Sequence, residues 1–187
     1  MKIGILGGTF DPPHFAHKEI ALRATTQFGL SKVIFIPTGN PWQKSPQTSS
    51  YHRYEMTSLL IEDIDEFELS DIEIDSNKKT YTVETLQKLN FNPSETYFIL
   101  GADAALGIKS WKTFNQLQYL CNFIIAPRSG VDILELQKNF PFDFNEISGS
   151  ELDISSVNIR NLILNKEDIN QFIPRNIQNY IESNNLY

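Results

Sequence analysis

Short runs of β-branched and aromatic residues alternate along the chain with longer stretches of mixed apolar and polar character. Residues 2–6 form one such run, stopped by Gly7 and Gly8; residues 33–36 form a second, stopped by Pro37, and residues 97–100 a third, stopped by Gly101. Brief apolar runs with this punctuation predict buried strands. Residues 68–74 alternate apolar with acidic positions and predict another strand, residues 122–126 a fifth, and Glu146 with Ile147 a weak one. Helical patterning covers residues 20–28 before Gly29, 51–63, 82–89, 103–120 in two pieces around Trp111, 131–139, and a segment opened by Asp153-Ile154-Ser155-Ser156 and running to Leu164; Pro174 opens a last helix. This alternation predicts an α/β fold, a parallel sheet with helices on both faces and right-handed crossovers, in one domain over 1–187 with the helices from about 155 packed on it. Ligands of such sheets bind beyond the carboxyl ends of the strands. Residues 37–50 are polar and too long for a simple connection, so they are expected on the substrate side.

Composition narrows this picture. The chain has 187 residues, 41% hydrophobic and 21% charged, enough to bury a core and too apolar for disorder to describe it. No apolar run approaches the ~18 residues of a membrane span, and no signal-peptide pattern precedes Gly7, so a cytoplasmic protein without membrane partners is expected. A single cysteine, Cys121, offers neither an intramolecular disulfide nor a Cys-based zinc site. Lys and Arg number 16 against 23 Asp and Glu, a net charge of -7, which excludes nucleic acid as the expected partner and requires any phosphate binding to be local. A homo-oligomer is left open.

The candidate chemistry begins where the first strand meets the first helix, at Gly7-Gly8-Thr9-Phe10-Asp11-Pro12-Pro13-His14-Phe15-Ala16-His17. Glycines at this junction let backbone amides approach an anion, and histidines at i and i+3 can reach one group. A tight turn followed by two structural histidines is the other reading. Ile154-Ser155-Ser156-Val157-Asn158-Ile159-Arg160 likewise offers hydroxyls and helix-start amides with an arginine one turn on, or an ordinary serine cap. Asp103, two residues past Gly101, reads by itself as a helix cap. His52 lies outside these strings and reads as a surface residue.

The first string resembles the nucleotidyltransferase superfamily whose signature is His-x-Gly-His, and as a whole looks like the bacterial nicotinate-nucleotide adenylyltransferase family. Ala16 stands where that family has glycine, a change that a right-handed backbone tolerates. The second string resembles the same superfamily's Ile-Ser-Ser-Thr-x-Ile-Arg, with Val157 in place of threonine. Gly101-Ala102-Asp103 resembles its Gly-x-Asp, which holds the adenosine ribose; Trp111 falls where the nicotinate branch stacks a Trp on the pyridine. The resemblance implies a Rossmann-like sheet of order 3-2-1-4-5. It further implies transfer of AMP from ATP to nicotinate mononucleotide in NAD biosynthesis, giving deamido-NAD and pyrophosphate, with Mg²⁺ carried on the ATP phosphates. His14 and His17 would be catalytic. Gly8, Thr9, Phe10, Gly101, Asp103, Ser155, Ser156 and Arg160 would join them in binding ATP, and Asn40, Lys44, Thr85 and Trp111 would bind the mononucleotide, Thr85 through its backbone. Two other readings are a sister enzyme acting on pantetheine phosphate, which Trp111 and residues 37–44 argue against, and a module that binds a nucleotide without chemistry, favoured only by Ala16 and Val157.

Overall fold

A computed structural model describes residues 1–75, 78–150 and 153–187. Strands β1 (Ile3–Gly8), β2 (Lys32–Pro37), β3 (Phe67–Leu69), β4 (Thr96–Gly101), β5 (Asn122–Ala126) and β6 (Asn145–Glu146) form one parallel sheet of order β3-β2-β1-β4-β5-β6. The expected order 3-2-1-4-5 is present, and the weak strand at Glu146 extends it by one. Helices α1 (Phe15–Phe28), α2 (Ser50–Ile61), α3 (Thr82–Leu89), α4 (Ala102–Leu106), α5 (Ile133–Asn139), α6 (Ser156–Leu164) and α7 (Arg175–Ser183) cover its two faces.

The strands are apolar on both sides because the sheet is covered on both sides. Leu6, Phe35, Ile99 and Ile124 point into one layer, with Ala21 and Ala24 of α1, Met56 and Leu60 of α2, Ile159 of α6 and Ile177 and Ile181 of α7. Their neighbours Ile5, Ile34, Phe98 and Ile125 point into the other, with Val83 and Leu86 of α3, Ala105 of α4 and Leu136 of α5. Each fully buried Leu or Ile contributes about 1.5–3 kcal/mol. Among the described residues no helix is long and apolar enough to cross a membrane.

Three local expectations change. The alternation over 68–74 is a three-residue strand followed by a turn: the Ile74 amide donates to the Asp71 carbonyl, and Glu73 is buried rather than facing solvent. Residues 103–120 are α4 and two 3₁₀ segments, Ile108–Ser110 and Phe114–Tyr119, since Gly107 ends α4 and Thr113, at φ 46°, cannot continue a helix. His52 is half-buried, with Nδ1 2.9 Å from the Tyr180 hydroxyl, so it joins α2 to α7.

Candidate active site

Between β1 and α1 the chain turns sharply at the carboxyl edge of the sheet. Phe10 makes this turn at φ 52° with its side chain buried, and its ring lies where a Cβ on residue 8 would come within 2.9 Å, so only glycine fits at Gly8. That ring meets His17 edge-on at 4.8 Å between centroids, and the His14 and His17 rings stack at 3.8 Å. The His14 backbone N–H donates to His17 Nδ1 over 3.2 Å. With Nδ1 accepting, a neutral His17 carries its proton on Nε2 and presents an N–H donor there.

The pair is neutral at pH 7. Burial, then the charge of Arg128, lowers the His14 pKa to about 3. Burial first, then His14, Lys44 and Arg128, holds His17 well below its usual range. The unfolded chain therefore protonates first, near 6.5, and stability declines as pH falls from there toward about 3 for His14. For buried His14 this decline approaches about 1.4 kcal/mol per pH unit. Urea unfolding from pH 6 to 4 should show a shallower loss of stability in His14→Asn than in the parent; equal slopes would mean that His14 is not held neutral.

These residues line a cleft of about 670 Å³ at the carboxyl ends of the strands, a volume suited to a small-molecule site. Gly8, Thr9, Phe10, His14, His17, Lys44, Thr85, Gly101, Asp103, Trp111, Ser155, Ser156 and Arg160 all line it. Asn40 does not; it is exposed, and its carbonyl accepts from the Thr80 amide at 3.0 Å. The serine string is also a brace. Ser155 caps α6 by accepting from the Asn158 amide at 3.2 Å, Ser156 Oγ donates to the Pro12 carbonyl at 2.8 Å, and Arg160 Nη1 donates to the Asp11 carbonyl at 2.6 Å. Ser156 and Val157 head α6, where backbone N–H groups lack intrahelical partners.

Across the cleft, Gly101 is the N-cap of α4, and Asp103 pairs with Arg128 Nη1 at 3.1 Å. Both side chains are more than a third exposed, so the pair adds little stability and its members are open to ligand. Trp111 is half-buried, edge-on to Phe98 at 6.2 Å. The Thr85 amide is engaged within α3, donating to the Tyr81 carbonyl at 3.1 Å, and its Oγ1 donates to Glu73 Oε1 at 2.5 Å. Thr82, which heads α3 and lines the cleft, has the amide suited to an anion. Ala16 sits in the first turn of α1, outside the positive-φ residues, so its methyl adds no backbone strain.

Sequence reasoning missed Arg128, Glu73, Asp11 and Arg53. Arg128 had a signal, since it follows the carboxyl end of β5 by two residues. The other three become buried only through tertiary contacts.

The cytidylyltransferase-like family matches residues 5–162. A probable nicotinate-nucleotide adenylyltransferase of Clostridium botulinum (strain Eklund 17B / Type B) is 40% identical over 195 residues, covering 100% of this chain and 98% of its own. One from Desulfitobacterium hafniense (strain Y51) is 40% identical over 197 residues, covering 100% and 95%. Among solved structures, Plasmodium falciparum nicotinic acid mononucleotide adenylyltransferase complexed with NaAD is similar at a TM-score of 0.82 and 27% identity, covering 100% of this chain and 97% of that one.

Proposed function

The chain belongs to the cytidylyltransferase-like family, among its nicotinate-nucleotide adenylyltransferases, and from that premise we propose that it transfers AMP from ATP to nicotinate mononucleotide, giving nicotinate adenine dinucleotide and pyrophosphate. The observation that supports this reading is the convergence of two neutral, stacked histidines with the starts of α1 and α6 on one cleft. The mononucleotide phosphate oxygen attacks the α-phosphorus in line, the new P–O bond forms as the bond to the β-phosphate oxygen breaks, and pyrophosphate leaves with that electron pair. The protein has then to align two anions and offset growing charge. His17 Nε2–H donates to the reacting phosphate, and the α6 amides of Ser156 and Val157 take the outer phosphates. Asp103 receives the adenosine ribose hydroxyls. Lys44 attracts the mononucleotide phosphate, and Trp111 stacks on its pyridine.

Mg²⁺ would come on the ATP triphosphate and would supply charge neutralisation there. A cytoplasmic setting suits the buried Cys121, whose thiol burial pushes up to about 12 and so keeps unreactive.

Release of pyrophosphate from ATP plus nicotinate mononucleotide by the purified protein tests the assignment; no release, with turnover of phosphopantetheine instead, would move the protein to the sister activity. Arg128 gives a finer test. It lies on the Asp103 side of the cleft, so Arg128→Ala should raise the KM for ATP about tenfold, the worth of one charge-assisted contact, and leave that for the mononucleotide unmoved. A rise in the mononucleotide KM alone would mean the two substrates lie the other way round.

A further inference from the structure

Arg53 of α2 is the largest fully buried side chain among the described residues, and its hydrogen bonds go to backbone carbonyls. Nη1 donates to Thr9 at 2.7 Å, Nη2 to Gly39 at 2.9 Å and Nε to Thr48 at 3.4 Å. Thr9 belongs to the turn that leads to His14, whereas Gly39 and Thr48 stand near the two ends of the loop between β2 and α2. A second tie joins the same two segments. Asp11, 3% exposed, accepts from the Gln47 amide at 2.7 Å through Oδ2 and from Thr48 Oγ1 at 2.7 Å through Oδ1; Tyr187, beyond α7, donates its hydroxyl to Oδ1 at 2.8 Å.

Between these tie points residues 41–46 supply one wall of the cleft, including Trp42 and Lys44, and Thr9 and His14 supply the facing turn. Neither Arg53 nor the Asp11 carboxylate is among the groups proposed to meet the reacting phosphates. Gly39 belongs to the same construction, because a Cβ there would fall 1.8 Å from the Glu73 carbonyl oxygen, leaving the loop one path.

We propose that Arg53 and Asp11 are positioning residues that fix the wall carrying Lys44 to the turn carrying His14, and thereby set the alignment of the two reacting phosphates. The proposal rests on the adenylyl-transfer reading. Its physical content is that the mononucleotide phosphate would meet Lys44 and the ATP phosphates the His14–His17 turn, on separate segments, while Trp111 and Asp103 would keep holding the rest of each substrate. In-line attack depends on how those two segments are placed relative to each other, where an error near 1 Å costs ~10²-fold. Loss of the tie should therefore appear in kcat and not in the binding of either substrate alone. Lysine cannot replace the arginine, since one ammonium lacks the planar fork that reaches three carbonyls on separate segments.

Purified parent, Arg53→Met, Arg53→Lys, Asp11→Asn and Tyr187→Phe would be compared for kcat, both KM values, the Kd of each substrate bound singly by calorimetry, and Tm. Arg53→Met should lower kcat about 30-fold with each Kd within about threefold, Arg53→Lys should give no rescue, and Tyr187→Phe should lower kcat about threefold at nearly unchanged Tm. A parent that fails to release pyrophosphate from ATP and nicotinate mononucleotide overturns the functional reading. An active parent whose Arg53→Met variant keeps its kcat, or loses only the binding of one substrate, overturns the positioning role. Should the Arg53 variants not fold, Asp11→Asn and Tyr187→Phe decide it: kcat and Tm falling in proportion would mean a structural role alone, and kcat falling by itself supports the tie.

Discussion

Turnover by His17→Ala is expected to fall by ~10²-fold or more while the fold survives, because a donor lost from a developing charge in a water-poor site is worth about 3 kcal/mol. Two features of the site make the effect specific. The His14 backbone N–H fixes which ring nitrogen faces the cleft, and the Phe10 edge with the stacked His14 ring fixes the plane, so Nε2–H is aimed before substrate arrives. Because burial holds the ring neutral, in the proposed role it would act as an aligned dipole rather than as a cation, and little reorganisation would be needed as charge builds on the phosphate. His17→Gln can place an N–H near the same point and should recover part of the loss. Steady-state kcat with saturating ATP and nicotinate mononucleotide checks this, and an alanine variant with near-normal turnover would remove His17 from the mechanism.

Nicotinate mononucleotide should be preferred over its nicotinamide analogue by ~10²-fold or more in kcat/KM. The two substrates differ only by a carboxylate for a neutral amide. At the start of α3 the cleft offers backbone N–H groups and a positive helix end, which suit an anion and leave the amide's own NH₂ facing donors. Each buried group left unsatisfied costs about 1–3 kcal/mol, and two such groups account for the ratio. The proposed stacking on Trp111 would be common to both substrates, so Trp111→Phe should weaken both together and leave the ratio standing. Paired kcat/KM measurements decide the matter: equal use of the two by the parent would reject the nicotinate preference, and a ratio that collapses in Trp111→Phe would move discrimination to the indole.

Periodicity and punctuation made the sheet legible. A run such as Val33-Ile34-Phe35-Ile36 closed by Pro37 has few alternatives to a buried strand, and strict strand-helix alternation leaves little freedom in topology. The Gly-Gly-Thr-Phe-Asp-Pro-Pro-His string was legible for a different reason: its chemistry is local, so a turn, a helix start and two histidines one helical turn apart are already specified by order along the chain. Where a pattern mixed two environments it misled. The alternation of 68–74 predicts a strand over all seven residues, whereas only Phe67–Leu69 pairs in the sheet and Glu73 turns inward to receive the Thr85 hydroxyl.

Order along the chain carries the α/β alternation and the turn-and-histidine string after β1, since both follow from near neighbours, and the strand order came with the family resemblance. How the histidines and the cleft walls are held is set by contacts in the folded chain, for the walls between segments far apart in sequence. The donor face of His17 depends on a backbone amide and two packed rings, the neutrality of the pair on burial, and the spacing of the cleft walls on Arg53 and Asp11, which bond to partners up to 176 residues away. Burial and long-range hydrogen bonds are properties of the assembled core, and no local pattern of apolar and polar residues encodes them.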